Sequence, residues 1–96
     1  MNKLGYWEYV LRVADNLTET YGHDYLWEGH AIYGAVSVIK NLREFLYFSP
    51  TDLSQKELKE KIRELIIKHC GELDEKTMDY EVKASYKACG KKPKGL

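Results

Sequence analysis

The sequence predicts an all-α fold: a small antiparallel bundle of about four helices, or a three-helix core with a peripheral fourth. Three observations carry this reading. Proline occurs only at Pro50 and Pro93 and the glycines fall mainly at joints, so the stretches between them are free of breakers. Within those stretches apolar residues recur at the helical period. Three of the stretches also open on a residue suited to capping a helix: Asp24, Ser54 and Asp74. A chain of 96 residues, 44% hydrophobic and 31% charged, has room for one core and the balance of a globular domain. The helical domain is expected over 1–89 and a basic tail over 90–96.

The first helix is expected from about Lys3 to Tyr21, with Gly22 as its stop. Leu4, Trp7, Val10, Leu11, Val13, Ala14, Leu17 and Tyr21 fill one half of its wheel. Glu8, Arg12, Asp15, Asn16 and Glu19 fill the other, and only Tyr9 among the apolar residues falls on the charged side. The second helix is expected from Asp24, its cap, to Phe48 before "SP". Its apolar arc of Trp27, Ala31, Ile32, Ala35, Val38, Ile39, Leu42, Phe45 and Leu46 spans more than half the wheel, which marks it as central. Gly34 leaves room there for a neighbouring backbone. A strand at "AIYGAVSVI" is the alternative, since that run is β-branched.

The third helix has the clearest start. "LSQKEL" sets Ser54 at the N-cap with Glu57 three residues on, a capping box, and Leu53 against Leu58 as a hydrophobic staple. Its stripe is Leu58, Ile62, Leu65, Ile66 and His69, and Gly71 ends it. The fourth helix, from about Glu75 to Cys89, repeats the pattern with Asp74 as cap and a Leu73–Met78 staple. Its thin stripe of Met78, Val82, Tyr86 and Cys89 places it at the edge of the bundle.

Fifteen basic and fifteen acidic residues cancel, so no overall field draws the chain to nucleic acid or membrane. The start has no signal-peptide pattern, and the longest near-apolar run, 31–39, is far below a membrane span. A cytoplasmic location is expected, which makes "NLT" at Asn16 a chance sequon. Cys70 and Cys89 close successive helices and so should lie on the order of 20 Å apart, too far for a disulfide.

The stretch "YGHDYLWEGHAIYG", 21–34, concentrates His23, His30, Asp24 and Glu28 among large aromatics. On a continuous helix the two imidazoles are separated by roughly 10 Å along the axis, too far to share an ion. A corner between two helices is the expected role. His69 is expected to be a satisfied, half-buried residue near the C-terminal dipole, with Cys70 elsewhere on the wheel. No Gly-rich phosphate loop, nucleophile elbow or Cys/His cluster occurs. Neither catalysis, nor a cofactor, nor a metal is expected.

Two surfaces have more substance. Ten of the twelve aromatic residues precede Pro50, and Tyr6, Tyr9, Tyr25, Tyr33, Tyr47 and Phe48 lie at or beyond the edges of the buried arcs. Tyrosines so placed offer rigid, amphipathic contact area. A small helical regulator or inhibitor is therefore expected, occluding or scaffolding another protein, or a second copy of itself, through Tyr9, Tyr25, Tyr33, Tyr47 and Phe48. The alternative is nucleic-acid association through Lys76, Lys83 and Lys87 with Tyr80 among them, continued by Lys91, Lys92 and Lys94. Asp79 and Glu75 flank that stripe, and it contains no arginine for base reading.

Overall fold

The computed structural model describes residues 3–42 and 48–93. Four α-helices and one 3-10 segment follow in order: α1 (Tyr6–Tyr21), the 3-10 corner (His23–Gly29), α2 (His30–Leu42), α3 (Gln55–Cys70) and α4 (Glu75–Cys89). They form a small all-α bundle with no strand among the described residues, so "AIYGAVSVI" is helical. Its core runs from Tyr6, Val10 and Ala14 of α1 through Leu26, Ala31, Ile32, Ala35 and Ile39 to Leu58, Ile62, Ile66 and Met78.

The ends of α3 and α4 form as local chemistry dictates. Glu57 N–H donates to Ser54 Oγ at 3.2 Å and Ser54 N–H to Glu57 Oε1 at 3.1 Å, which closes the capping box. Asp74 accepts from Thr77 N–H at 3.1 Å. Gly71 and Gly90 end the two helices at φ 76° and 64°, where a side chain would be strained.

Helix α1 starts later than its wheel suggests, at Tyr6, because its cap comes from across the chain. Gly5 occupies the N-cap position and offers no side chain. The Asp52 carboxylate takes that role, accepting from Trp7 N–H at 3.1–3.2 Å. A Cβ on Gly5 would lie 2.4 Å from Asp52 Oδ1, so the close approach requires glycine. Ser49 N–H donates to Leu4 O at 2.9 Å beside it.

The second helix differs most from expectation. Asp24 caps nothing: its side chain meets His23 at 3.3 Å in solvent, inside the 3-10 corner. Trp27 turns extended, Glu28 adopts φ 55° and Gly29 φ 77°, so α2 begins only at His30. Glu28 is held there by Glu81 Oε2, which accepts its N–H at 2.8 Å from the middle of α4. Leu26 takes the core place expected of Trp27, which is half-buried. Helix α2 is described as far as Leu42, the expected arc residues Phe45 and Leu46 lie outside the described residues, and Phe48 is non-helical. Val38 and Leu42 are exposed, because α1 and α4 cover one side of α2 rather than wrapping it.

Of the two expected arrangements, α4 settles on the integrated bundle, packing on the corner, α3 and α2. Its buried stripe is Met78, Glu81, Ser85, Ala88 and Cys89, turned away from Val82 and Tyr86, which are half-buried. Gly29 explains the turn: a Cβ there would lie 2.8 Å from Ala88 Cβ and 3.0 Å from Ala84 O, so the corner lands on the small side chains of α4.

Candidate functional site

The tyrosines expected to form one face divide between the two ends of α1. At the N-terminal end, Phe48 packs edge-on against Tyr6 (5.6 Å) and Tyr9 (5.7 Å), and Trp7 packs against Tyr6 (4.9 Å). Tyr6 is buried, while Tyr9 and Phe48 are half-buried against the core. At the other end the rings of Tyr21 and Tyr25 meet at 5.3 Å, and Tyr25 and His30 at 6.5 Å. Tyr33 follows one turn beyond His30. Tyr47 lies outside the described residues. The groups are about 18 Å apart along α1, as the twelve residues from Tyr9 to Tyr21 require at 1.5 Å each.

Exposure separates them further. Tyr21 is 67% and Tyr33 59% exposed, whereas Tyr25 is half-buried. Tyr25 is fixed by Gly34: a Cβ there would come within 2.6 Å of its hydroxyl. The space beside Gly34 therefore receives a tyrosine rather than a backbone. The underlying segment turns at Gly22 (φ 95°) and is held by two contacts with α4: Glu81 accepts from Glu28 N–H, and Gly29 is wedged against Ala88 and Ala84. Tyr21 is the member that sequence reasoning missed. The wheel puts it on the apolar half of α1, but Gly22 stops the helix there and leaves the ring beyond the core.

The lysine stripe is exposed along α4 at Lys76, Lys83 and Lys87, with Tyr80 59% exposed among them. Glu60 and Asp79 share the α3–α4 surface with Lys83 and Arg63, so its field is mixed. Lys91 is exposed. Lys92 is committed elsewhere, 2.6 Å from Asp52 and 5.9 Å over the Trp7 ring. Lys94 lies outside the described residues.

Two polar clusters join elements far apart in sequence, and neither is visible in any local pattern. Asp52, with a side chain only 7% exposed, accepts from Trp7 N–H, Leu53 N–H and Lys92 Nζ. Its burial alone would raise its pKa, but those hydrogen bonds outweigh burial and hold it below the ordinary carboxylate value. In the second cluster, His69 Nε2 lies 2.6 Å from Asp15 Oδ1, and Lys68 Nζ reaches Asp15 at 2.8 Å and Glu19 at 3.2 Å. Burial opposes ionisation of Asp15 as well, and the Lys68 and His69 hydrogen bonds again prevail and lower its pKa. The ligand atoms of Asp15, Glu19 and His69 lie within 4.8 Å of one another, a spacing at which three groups share a cation. The cation present there is the Lys68 ammonium. The arrangement is an ion-pair clasp between α1 and α3.

Both cysteines are free. Burial pushes the Cys70 thiol up and the Cys89 thiol up to about 12, so neither is an activated nucleophile at neutral pH. Among the described residues no helix is long and apolar enough to cross a membrane. Comparisons with protein-family models, with curated proteins and with solved structures give no match.

Proposed function

We propose that the chain is a non-catalytic protein-binding domain, a small helical regulator that docks on a protein partner, or on a second copy of itself, through the corner formed by Tyr21, Tyr25, His30 and Tyr33. The observation that carries this reading is the exposure of two tyrosine rings, Tyr21 at 67% and Tyr33 at 59%, with the Tyr21 ring 5.3 Å from Tyr25, whose hydroxyl lies over Gly34, the residue after Tyr33. Aromatic side chains with few rotamers on a rigid support are the kind of anchor that interfaces concentrate, because little conformational freedom is lost when they are covered. The mechanism is occlusion or scaffolding, requiring no bond chemistry. Unactivated thiols and a clasp whose charges are already paired support the non-catalytic reading. Two free cysteines suit a reducing, intracellular compartment.

The test is a photo-crosslinking residue, p-benzoylphenylalanine, introduced in place of Tyr33 in the native cell. The expected result is a discrete adduct that disappears when Tyr21→Ala is added and is absent when the crosslinker replaces Lys83. An adduct of twice the chain mass would identify self-association. Equal adducts at both positions, or none at position 33, would overturn the reading.

A second reading rests on Tyr80, exposed among Lys76, Lys83 and Lys87: nucleic acid held by phosphate contacts and one stacked base. It requires binding to single-stranded oligonucleotide that weakens steeply with salt. Absence of a gel shift at low salt would dismiss it.

A further inference from the structure

Two recesses on the bundle differ in the charges around them. The groove between α1 and α3, about 390 Å³, has Glu8, Asp15 and Glu64 at its rim against Arg12, Lys61 and Lys68, three of each sign. The second, about 500 Å³, opens where the start of α1, the start of α3 and the end of α4 converge. Its walls are Trp7, Leu58, Tyr86 and Cys89, and among the described residues every charged one lining it is a lysine: Lys87, Lys91 and Lys92.

These lysines differ in how they are used. Asp52 neutralises Lys92, whereas Lys87 and Lys91 are exposed and have no ion pair among the described residues. Among the described residues no carboxylate lines the recess, so Lys87 and Lys91 give the partly apolar cleft a positive mouth. Such a mouth attracts an anion, and the aromatic walls accept a flat apolar body. The protonated Cys89 thiol adds no negative charge that would repel it.

We propose that this cleft binds a small organic anion built on a planar ring system, the ring lying against Trp7 and Tyr86 and the anionic group facing Lys87 and Lys91. The site takes none of its lining from Tyr21, Tyr25, His30 or Tyr33, so it stands or falls independently of the function proposed above.

The probe is 1-anilinonaphthalene-8-sulfonate, compared with N-phenyl-1-naphthylamine, which has the same rings without the sulfonate. Binding is followed by probe fluorescence and located by amide and indole NMR shifts on the full chain. The expected result is one saturable sulfonate site that shifts the Trp7 indole N–H and the amides of Leu58 and Cys89. The double reversal Lys87→Glu/Lys91→Glu should weaken it about tenfold and leave the neutral probe unaffected. Lys87→Gln/Lys91→Gln should fall between. Both pairs are exposed, so an unchanged circular dichroism spectrum verifies the fold. Shifts confined to the α1–α3 groove, sulfonate binding indifferent to charge reversal, or no saturable binding would overturn the proposal. Binding that appears only after removal of residues 94–96 would also overturn it, since the chain's own end would then be the occupant.

Discussion

The two ends of α1 carry the same kind of residue and use it in opposite ways. At the N-terminal end Tyr6, Trp7, Tyr9 and Phe48 pack edge to face, beneath a loop that Asp52 ties to both α1 and Lys92. At the C-terminal end Tyr21 stands in solvent against the half-buried Tyr25, and Tyr33 is exposed beside Gly34, on which the Tyr25 hydroxyl lies. Richness in aromatics therefore does not identify a surface by itself. What separates the ends among the described residues is what a later segment covers: the loop at 48–53 returns over the rings at the first end, whereas Lys68 and His69 of α3 reach Asp15 and Glu19 at the second and leave Tyr21 exposed.

The sharpest way to break this comparison is to cut the tie. Asp52→Ala removes an acceptor shared by two backbone N–H groups and leaves Lys92 without its partner. Unfolding in urea should show a loss of about 2–4 kcal/mol. Asp52→Asn should lose less, because its amide oxygen still accepts. A loss below about 0.5 kcal/mol for the alanine variant would mean that the first end is held by ring packing alone.

The next largest effect is expected at Glu81→Ala, which orphans Glu28 N–H at the corner, at about 1–3 kcal/mol in the same measurement. Because this group also holds the 3-10 corner, hydrogen exchange at Glu28 and Gly29 should accelerate beyond what global destabilisation explains. Uniform acceleration across all helices would show that the corner is not a separately held unit.

Acid should act on the clasp and the tie together. Asp15 and Asp52 both ionise more readily in the folded chain than is ordinary for the side chain, so the folded state binds protons more weakly than the unfolded one. The stability they contribute is complete above the unfolded pKa, about 4, and is lost as pH falls through the lower folded values. The urea midpoint should therefore hold from neutral pH to about 5 and decline below 4, with Asp52→Asn flattening part of the decline. A midpoint that rises on acidification would contradict the direction of both shifts.

Gly34→Ala should change stability less than any of these. Alanine favours the helix by up to about 1 kcal/mol, while the new Cβ displaces the Tyr25 hydroxyl, so the two effects oppose. Stability should stay within about 1 kcal/mol of the parent, and the position-33 adduct should weaken because Tyr25 has moved. An unaltered adduct would remove Tyr25 from the contact surface.

Much of the fold is legible because helix ends are written locally. Ser54 and Glu57, Asp74 and Thr77, and the stops at Gly22, Gly71 and Gly90 all act within a few residues. The errors occur where the partner is remote. Asp24 has the look of a cap, but the break that fixes the start of α2 is set by Glu81, 53 residues from Glu28. Asp52 reaches Trp7 across 45 residues, and Asp15 reaches His69 across 54. No periodicity encodes such pairs. The candidate site was half legible: Tyr25 and Tyr33 follow from the edges of the apolar arcs, but only the path of the chain shows that Tyr9 and Phe48 belong to a different cluster and that Tyr21 joins the first two.

The most direct measurement sets Tyr21→Ala beside Tyr9→Ala, each scored for urea stability and for the adduct formed from position 33. Tyr9→Ala is expected to lose roughly 2 kcal/mol and keep the adduct wherever the chain is folded. Tyr21→Ala should keep its stability within about 0.5 kcal/mol and lose the adduct. Equal losses of stability in the two variants, with the adduct intact in Tyr21→Ala, would contradict the division of the aromatics into a fold-holding end and a binding end.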